Sequence, residues 1–262
     1  MRRDFFFSIV IPSYNRAHTI CRTLESILKQ SFKDFEVIIV DDGSTDNTKE
    51  RLKPLLSLSN VLYYFYEINC GANYAKNLGA KYAKGKYLVF LDSDDLFVSE
   101  NSLQIIYKII IDEGYPSLAM FSCISLSNGE RLAKKPNYNG FVSFLEYFRG
   151  KYLGEYLPIV EKSSFMKVQF SEKINGGEGI TWNLIAKEAG ELFMSSAVVR
   201  LYDDMGDDRL SIPSKKNLRR IRNVFLYDMQ VNFVNYLLYY RIGMLKSVTK
   251  VLYYQFKSSI VK

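Results

Sequence analysis

The stretch that most constrains this chain is Tyr87-Leu88-Val89-Phe90-Leu91, followed at once by Asp92-Ser93-Asp94-Asp95. A short, β-prone apolar run introduced by the turn-like Lys84-Gly85-Lys86 predicts a buried strand. Carboxylates at a strand's C-terminal end sit where open α/β sheets hold their ligands. Three of them within four positions repel one another unless something positive stands between them. Oxygen ligands suit Mg²⁺ or Mn²⁺, and a divalent cation carrying phosphates would neutralise the cluster. A polar turn after a core strand has the same composition, so the cluster alone leaves both readings open.

The preceding sequence sets that strand in an alternating series. Strands are expected at Phe5–Ile11, Glu36–Val40 and Val61–Tyr66, and helices at His18–Gln30, Asn47–Leu56 and Ala72–Tyr82. This alternation predicts an α/β fold with a mostly parallel, doubly wound sheet flanked by helices. Pro12–Arg16, Asp41–Asp46 and Asp92–Asp95 would then line one edge. No Gly-x-Gly-x-x-Gly or Walker loop follows the first strand, which argues against a dinucleotide or P-loop enzyme. The second half is less regular. Helices are expected at Asn101–Ile111, Phe141–Arg149 and Thr181–Ala189, strands at Leu118–Ile124 and Leu192–Leu201, and a turn at Ser127–Glu130. Asn175–Gly179 and Asp203–Ser211 read as loops. The divisions expected are 1–98, 99–213 and a helical extension, 214–262.

Charge separates the extension from the rest. Of the 35 Lys and Arg, ten fall in 215–262 beside a single acid, Asp228, so the net charge of +7 belongs to the tail. An anionic partner should therefore meet the tail. Cys21, Cys70 and Cys123 are far apart and odd in number, which fits a reducing compartment rather than a disulfide framework. The N-terminal apolar run is too short for a signal peptide. No stretch reaches the roughly 18 apolar residues of a membrane span.

Four motifs in register carry a resemblance. Ile11-Pro12-Ser13-Tyr14-Asn15, Val40-Asp41-Asp42-Gly43-Ser44-Thr45-Asp46, Asn69-x-Gly71 with Lys76-Asn77-x-Gly79, and Phe90-Leu91-Asp92-Ser93-Asp94-Asp95 together resemble glycosyltransferase family 2. The match runs closely over residues 5 to about 98 and in outline thereafter. It implies a GT-A-like fold and an inverting, metal-dependent transfer of sugar from a nucleotide-diphosphate donor, by resemblance a UDP-sugar. Pro12, Tyr14, Asn15 and Asp41 or Asp42 would hold the nucleobase and ribose. Lys76 stands where many relatives carry Arg and would offer the donor positive charge without the bidentate fork. Asp92, with Ser93 beside it, would face the ribose or a metal water, and Asp94 would bind Mn²⁺ or Mg²⁺ directly. In relatives the general base lies in an acidic pair before a helix. Here that place reads Gly177-Glu178-Gly179, so Glu178 is the candidate base or orients the acceptor. Trp182 would stack on an acceptor sugar or pack in the core. Arg209 and Ser211 would reach the diphosphate, and Asp203 or Asp204 would approach the metal.

In the tail, Ser214 is placed to cap a helix whose first turns hold Lys215, Lys216, Arg219, Arg220 and Arg222. Cations at a helix N-terminus are disfavoured by about 0.3–1 kcal/mol each, so helix stability does not account for them. Lys and Arg interleaved with Tyr and Phe fit an interfacial helix on anionic lipid. This points to a cytoplasmic protein, peripheral on the inner membrane face, acting on a glycan or lipid-linked acceptor in surface polysaccharide synthesis. Two helices packed on the catalytic domain would read the same way, and a homodimer contact through the aromatics is compatible with both. A nucleotidyltransferase lacks its Gly-rich phosphate loop here. A nucleic-acid partner is not expected, because the site edge is acidic.

Overall fold

The computed structural model describes residues 5–58, 60–206 and 214–260. Strands β1 (Phe7–Ser13), β2 (Phe35–Asp41) and β4 (Tyr87–Phe90) are buried at every position, as befits strands covered on both faces. β1 pairs in parallel with β2 and with β4, and β3 (Val61–Phe65) pairs in parallel with the far side of β2. Helices α1 (Ile20–Leu28), α2 (Thr48–Leu52) and α3 (Ala72–Tyr82) form the crossovers. Ile20, Leu24 and Ile27 of α1 enter one apolar layer, and Ala75 and Ala80 of α3 enter the other.

Past β4 the sheet changes sense. β8 (Tyr156–Glu161) runs antiparallel to β4, and β6 (Leu118–Ser125) runs antiparallel to β8. β9 (Glu191–Tyr202) is parallel to β6, while β5 (Leu96–Phe97) and β7 (Gly140–Ser143) pair antiparallel with β9. The result is a mixed nine-stranded sheet of order β3-β2-β1-β4-β8-β6-β9-β5, with β7 on β9. The mostly parallel sheet expected from the sequence therefore describes the first half only. The second half reaches β4 through β8, whose Pro158 masks it as a strand in the sequence. Helices α4 (Ser102–Asp112), α5 (Phe144–Phe148), α6 (Lys162–Val168) and α7 (Glu178–Ala189) complete the two layers.

The sheet opens where the chain order reverses. β1 stays paired with β2 as far as Ser13 and Asp41, but its pairing with β4 ends at Val10 and Phe90. Pro12 lies in the stretch of β1 beyond that last β4 partner, where a missing ladder donor toward β4 is tolerated. Neighbouring strands that diverge at a switch point leave a crevice at their carboxyl ends.

The extension is a helical hairpin. Ser214 caps α8 (Lys215–Tyr239) by accepting from the Asn217 N–H at 3.1 Å. α8 packs against α9 (Arg241–Ile260), with Phe225 and Tyr254 stacked at 6.1 Å. Tyr236 fixes α8 to the catalytic layer through Phe148, at 4.9 Å between ring centres, and Arg149 donates to the Tyr239 carbonyl at 3.1 Å.

α3 lies unusually close to β1 because residue 79 is glycine: a Cβ there would stand 2.3 Å from Val10 Cγ1. Gly79→Ala is expected to destabilise the fold by about 1–3 kcal/mol through overpacking. Val10→Ala in the same chain should return part of that loss, read as the urea midpoint of each variant.

Candidate active site

The first two loops at the crevice are bound to each other before any ligand is considered. Asn15 adopts φ 53°, a left-handed conformation that Asn tolerates better than most residues. Its N–H donates to Ser44 Oγ at 2.8 Å, and its Oδ1 accepts from the Thr45 N–H at 2.8 Å. The Arg16 N–H donates to Thr48 Oγ1 at 2.9 Å. Asp41 is fully buried and accepts from the Ser44 N–H at 2.9 Å and the Tyr63 hydroxyl at 2.7 Å. Asp42 accepts from the N–H groups of Cys70 and Gly71 at 2.8 and 2.6 Å, which draws in the loop before α3. Burial outweighs those bonds and raises the Asp42 carboxyl above its usual range. Tyr14 remains exposed above these braced turns.

The three acids after β4 meet three different environments. Asp95 is buried against Arg200 of β9, at 3.1 Å, and accepts from the Asp203 N–H at 2.9 Å. Asp92 lies 2.9 Å from the Lys76 ammonium. Burial works against its charge, but Lys76 prevails and holds the carboxyl below its ordinary value. Asp94 lies 4.0 Å from Arg16, and its carbonyl accepts from the Arg22 guanidinium at 3.1 Å. Burial, then the Asp92 carboxylate, pushes Asp94 upward, and Asp203 adds to this. Among the described residues, Asp94 is thus the acid after β4 whose carboxylate has the most distant cation. Ser93, between them, is buried, and its carbonyl accepts from Thr23 Oγ1 at 3.0 Å.

Lys76 also reaches the second half of the chain. Its Nζ lies 3.1 Å from Glu178 Oε1 while the ammonium is almost wholly buried. Burial alone would lower its pKa, but Asp92 and Glu178 overcome this and keep it protonated well above the usual lysine range. Glu178 is the first residue of α7, not part of the loop that the sequence suggested. Gly177, at φ 82°, makes that abrupt start accessible. A carboxylate in the first turn is favoured by the helix dipole. Among the described residues, Glu178 Oε2 has no hydrogen-bond partner.

Asn73 is the site residue that the sequence motifs do not reveal. Its amide donates to the carbonyls of Ser171, Ile174 and Gly176 at 2.8, 3.1 and 3.0 Å, clamping the segment that ends in Glu178. Asn77, one turn on, donates to the Phe170 carbonyl and accepts from the Phe170 N–H, each at 2.9 Å. The available signal is periodic: Asn73, Lys76 and Asn77 form a buried polar stripe on an otherwise apolar helix.

Trp182 does not reach the rim. It is 6% exposed and packs in the core against Phe170 at 5.2 Å, with Phe90 and Phe165 beyond. The expected stacking on an acceptor sugar therefore gives way to a packing role. Asp203 and Asp204 are both engaged within the protein: Asp203 pairs with Arg22, and Asp204 accepts from Ser125 and Ser127. Arg209 and Ser211 lie outside the described residues.

The model of the family described as Glycosyl transferase family 2 matches residues 8–167, which include Lys76, the acids after β4 and the strands β2 to β8. The chain belongs to glycosyl transferase family 2. Members of this family are generally metal-dependent. A Campylobacter jejuni relative, GalNAc(5)-diNAcBac-PP-undecaprenol beta-1,3-glucosyltransferase, is 29% identical over 82% of this chain and 70% of its own length. An Escherichia coli UDP-Glc:alpha-D-GlcNAc-diphosphoundecaprenol beta-1,3-glucosyltransferase is 39% identical over 39% of this chain and 40% of its own. The chain thus spans less than half of the latter. In fold it resembles S. aureus TarS 1-349 in complex with UDP-GlcNAc, at TM-score 0.70 and 20% identity, covering 95% of this chain and 79% of that one. It also resembles the mannosyltransferase PcManGT from Pyrobaculum calidifontis in complex with GDP-Man and Mn²⁺, at TM-score 0.64 and 16% identity, covering 94% and 73%.

In this family 2 protein the rim suits a hard cation. Its donors are carboxylate oxygens, and Mg²⁺ or Mn²⁺ bound with a diphosphate needs only one or two of them, water and phosphate completing the shell. Among the described residues no three His, Cys, Asp or Glu side chains form a metal cage. A cation at Asp94 would therefore be shared with a ligand. The clamp at Asn73 has a measurable consequence. Asn73→Leu leaves three carbonyls without their donor and is expected to cost about 1–3 kcal/mol in urea unfolding. It should also speed limited proteolysis at residues 171–177.

Proposed function

We propose that the protein is a GT-A-type, inverting glycosyltransferase that moves a sugar from a UDP-sugar to a hydroxyl of a lipid-linked or glycan acceptor. The observation that carries this reading is the Lys76 ammonium, held between Asp92 on one side of the crevice and Glu178 on the other. Tyr14 would stack on the base. Pro12 and Asn15, with Asp41 and Asp42 bracing the turns around them, would form its floor. Asp92 and Ser93 would face the ribose and the metal's water, and Asp94 would hold Mn²⁺ or Mg²⁺ against the diphosphate. Arg209 would meet the same diphosphate. The cation would supply Lewis-acid stabilisation of the departing diphosphate. Glu178 Oε2 would take the proton of the acceptor hydroxyl as that oxygen bonds to the anomeric carbon. The bond from that carbon to the phosphate oxygen breaks with its electron pair, and the nucleoside diphosphate leaves. Attack from the face opposite the leaving group inverts the anomeric centre. The undecaprenol-linked substrates in the names of the C. jejuni and E. coli relatives support a lipid-linked acceptor.

The tail supports peripheral work on the cytoplasmic membrane face. Among the described residues no helix is long and apolar enough to cross a membrane. The hairpin nevertheless leaves Leu238 at 65%, Leu252 at 65% and Phe256 at 68% exposed, and Lys246, Lys250 and Lys257 belong to the same hairpin. Apolar side chains with basic neighbours suit an anionic bilayer surface.

Two expectations separate the parts of this reading. Asp94→Ala should remove the Mn²⁺-dependent thermal stabilisation by UDP-sugars, whereas Glu178→Gln should keep it and lower kcat by about 10²–10⁴-fold, the usual share of general base catalysis. Turnover by Glu178→Gln at the wild-type rate would exclude Glu178 as the base. Separately, Leu252→Asp with Phe256→Asp should abolish flotation with anionic vesicles and leave UDP binding intact.

A further inference from the structure

The proposed transfer accounts for the acidic rim but not for a basic pocket beside α8. That pocket, of about 520 Å³, lies between the 173–175 segment and the first two turns of α8. Lys173, Lys215, Lys216, Arg219 and Arg220 line it, and among the described residues no carboxylate does. Lys173, Lys215, Lys216 and Arg219 form no ion pair with a described carboxylate, and all four are exposed. Four of the five cations crowd the positive end of a helix dipole, where they oppose helix stability and reinforce one another's field. Two segments distant in sequence supply them, so the concentration of charge is a product of the fold.

The pocket also adjoins the reaction centre. Its 173–175 wall belongs to the segment that Asn73 clamps, three residues before Glu178. A Cβ on Gly176 would stand 3.2 Å from Arg220 Nη1, so the guanidinium lies over the backbone just ahead of Glu178. The Arg220 charge acts on the Glu178 carboxylate. Val224 of α8 closes on Gly177 from the same side. An anion seated here would be attached to whatever presents its hydroxyl to Glu178, which is the acceptor.

We propose that this pocket is an acceptor subsite that binds a phosphate or diphosphate group carried by the acceptor, held by Lys215, Arg219 and Arg220. The inference rests on Glu178 marking the acceptor side of the transferase. It assigns the acceptor's chemistry, an anionic phosphate-linked sugar, in place of a neutral glycan. Arg and Lys are the side chains that bind phosphate through charge-assisted hydrogen bonds.

The test uses the full chain and inorganic pyrophosphate, titrated calorimetrically with EDTA present so that a metal-bridged rim cannot contribute. Saturable binding is expected, weakened about tenfold or more in Lys215→Gln/Arg219→Gln and restored in Lys215→Arg/Arg219→Lys. Both substituted side chains are exposed, so folding should survive, and unchanged UDP binding with Mn²⁺ in the same variants would verify it. Wild-type protein that ignores pyrophosphate, or a Gln pair that binds it undiminished, would overturn the subsite. The lipid-headgroup source is tested with vesicles of about 30% phosphatidylglycerol. If these displace pyrophosphate, and the Gln pair no longer floats with them, the pocket holds headgroups and the acceptor assignment fails. Pyrophosphate binding alongside absent UDP binding would instead overturn the donor reading while the pocket stood, so the two failures are distinguishable.

Discussion

A buried lysine between two carboxylates is the constraint on which the site depends. Lys76 comes from α3, Asp92 from the end of β4 and Glu178 from the start of α7, so one ammonium joins the first, parallel half of the chain to the second. Neither carboxylate could approach the crevice so closely without it, because like charges at that range repel strongly wherever water is thinned. Nor could the ammonium be buried alone. Each charge makes the others tolerable, and the geometry of the candidate base is therefore tied to that of the donor-facing acid.

The position of Lys76 is in turn set by how α3 is held. Gly79 lets the helix sit against β1, Asn73 and Asn77 fasten it to residues 170–176, and Asp42 binds the loop before its first turn. One short helix thus ties the loop before it to residues 170–178 and to Asp92. The mixed half of the sheet supplies the buried Arg200, which holds Asp95. The neighbouring acids meet different surroundings because α3 offers a cation to one of them and β9 to another. The third is left with a distant Arg16, an arrangement that favours binding a cation.

Much of this was legible in the sequence, for reasons that also explain what was not. The first four strands announce themselves because parallel strands buried on both faces are short, continuous apolar runs separated by helices. Their ends could be aligned because carboxylates interrupt those runs sharply. The second half gives that signal only for β6 and β9. β8 carries Pro158 and β5 is Leu96–Phe97 alone, so pairing across β4 is decided by tertiary contacts. Lys76 could be named from its motif, but its two partners depend on where α7 begins, and Gly177 sets that boundary through its backbone conformation rather than through any pattern of side chains. For Trp182 the sequence left stacking and core packing open; it follows Glu178 by one helical turn, and the body of α7 turns that position into the Phe90–Phe165–Phe170 core. Asp41 and Asp42 show a third case, since acids in the right motif spend their oxygens on the N–H groups of neighbouring turns.

The distribution of charge imposes an order on how ligands can meet this surface. In the proposed reading the acidic rim needs a cation before it can take a nucleotide diphosphate, whereas the basic pocket beside α8 does not. Were the two regions merged, the lysines and arginines would neutralise Asp94 and remove its demand for metal. They are kept apart by residues 171–177, and that segment is rigid because one asparagine amide holds three of its carbonyls. Lys76 and Arg220 then act on Glu178 from the two sides, one through direct contact and the other through the field of the pocket. In the proposed reading, the carboxylate at the start of α7 consequently stands between a donor and a phosphate-bearing acceptor, each held by its own counter-charge.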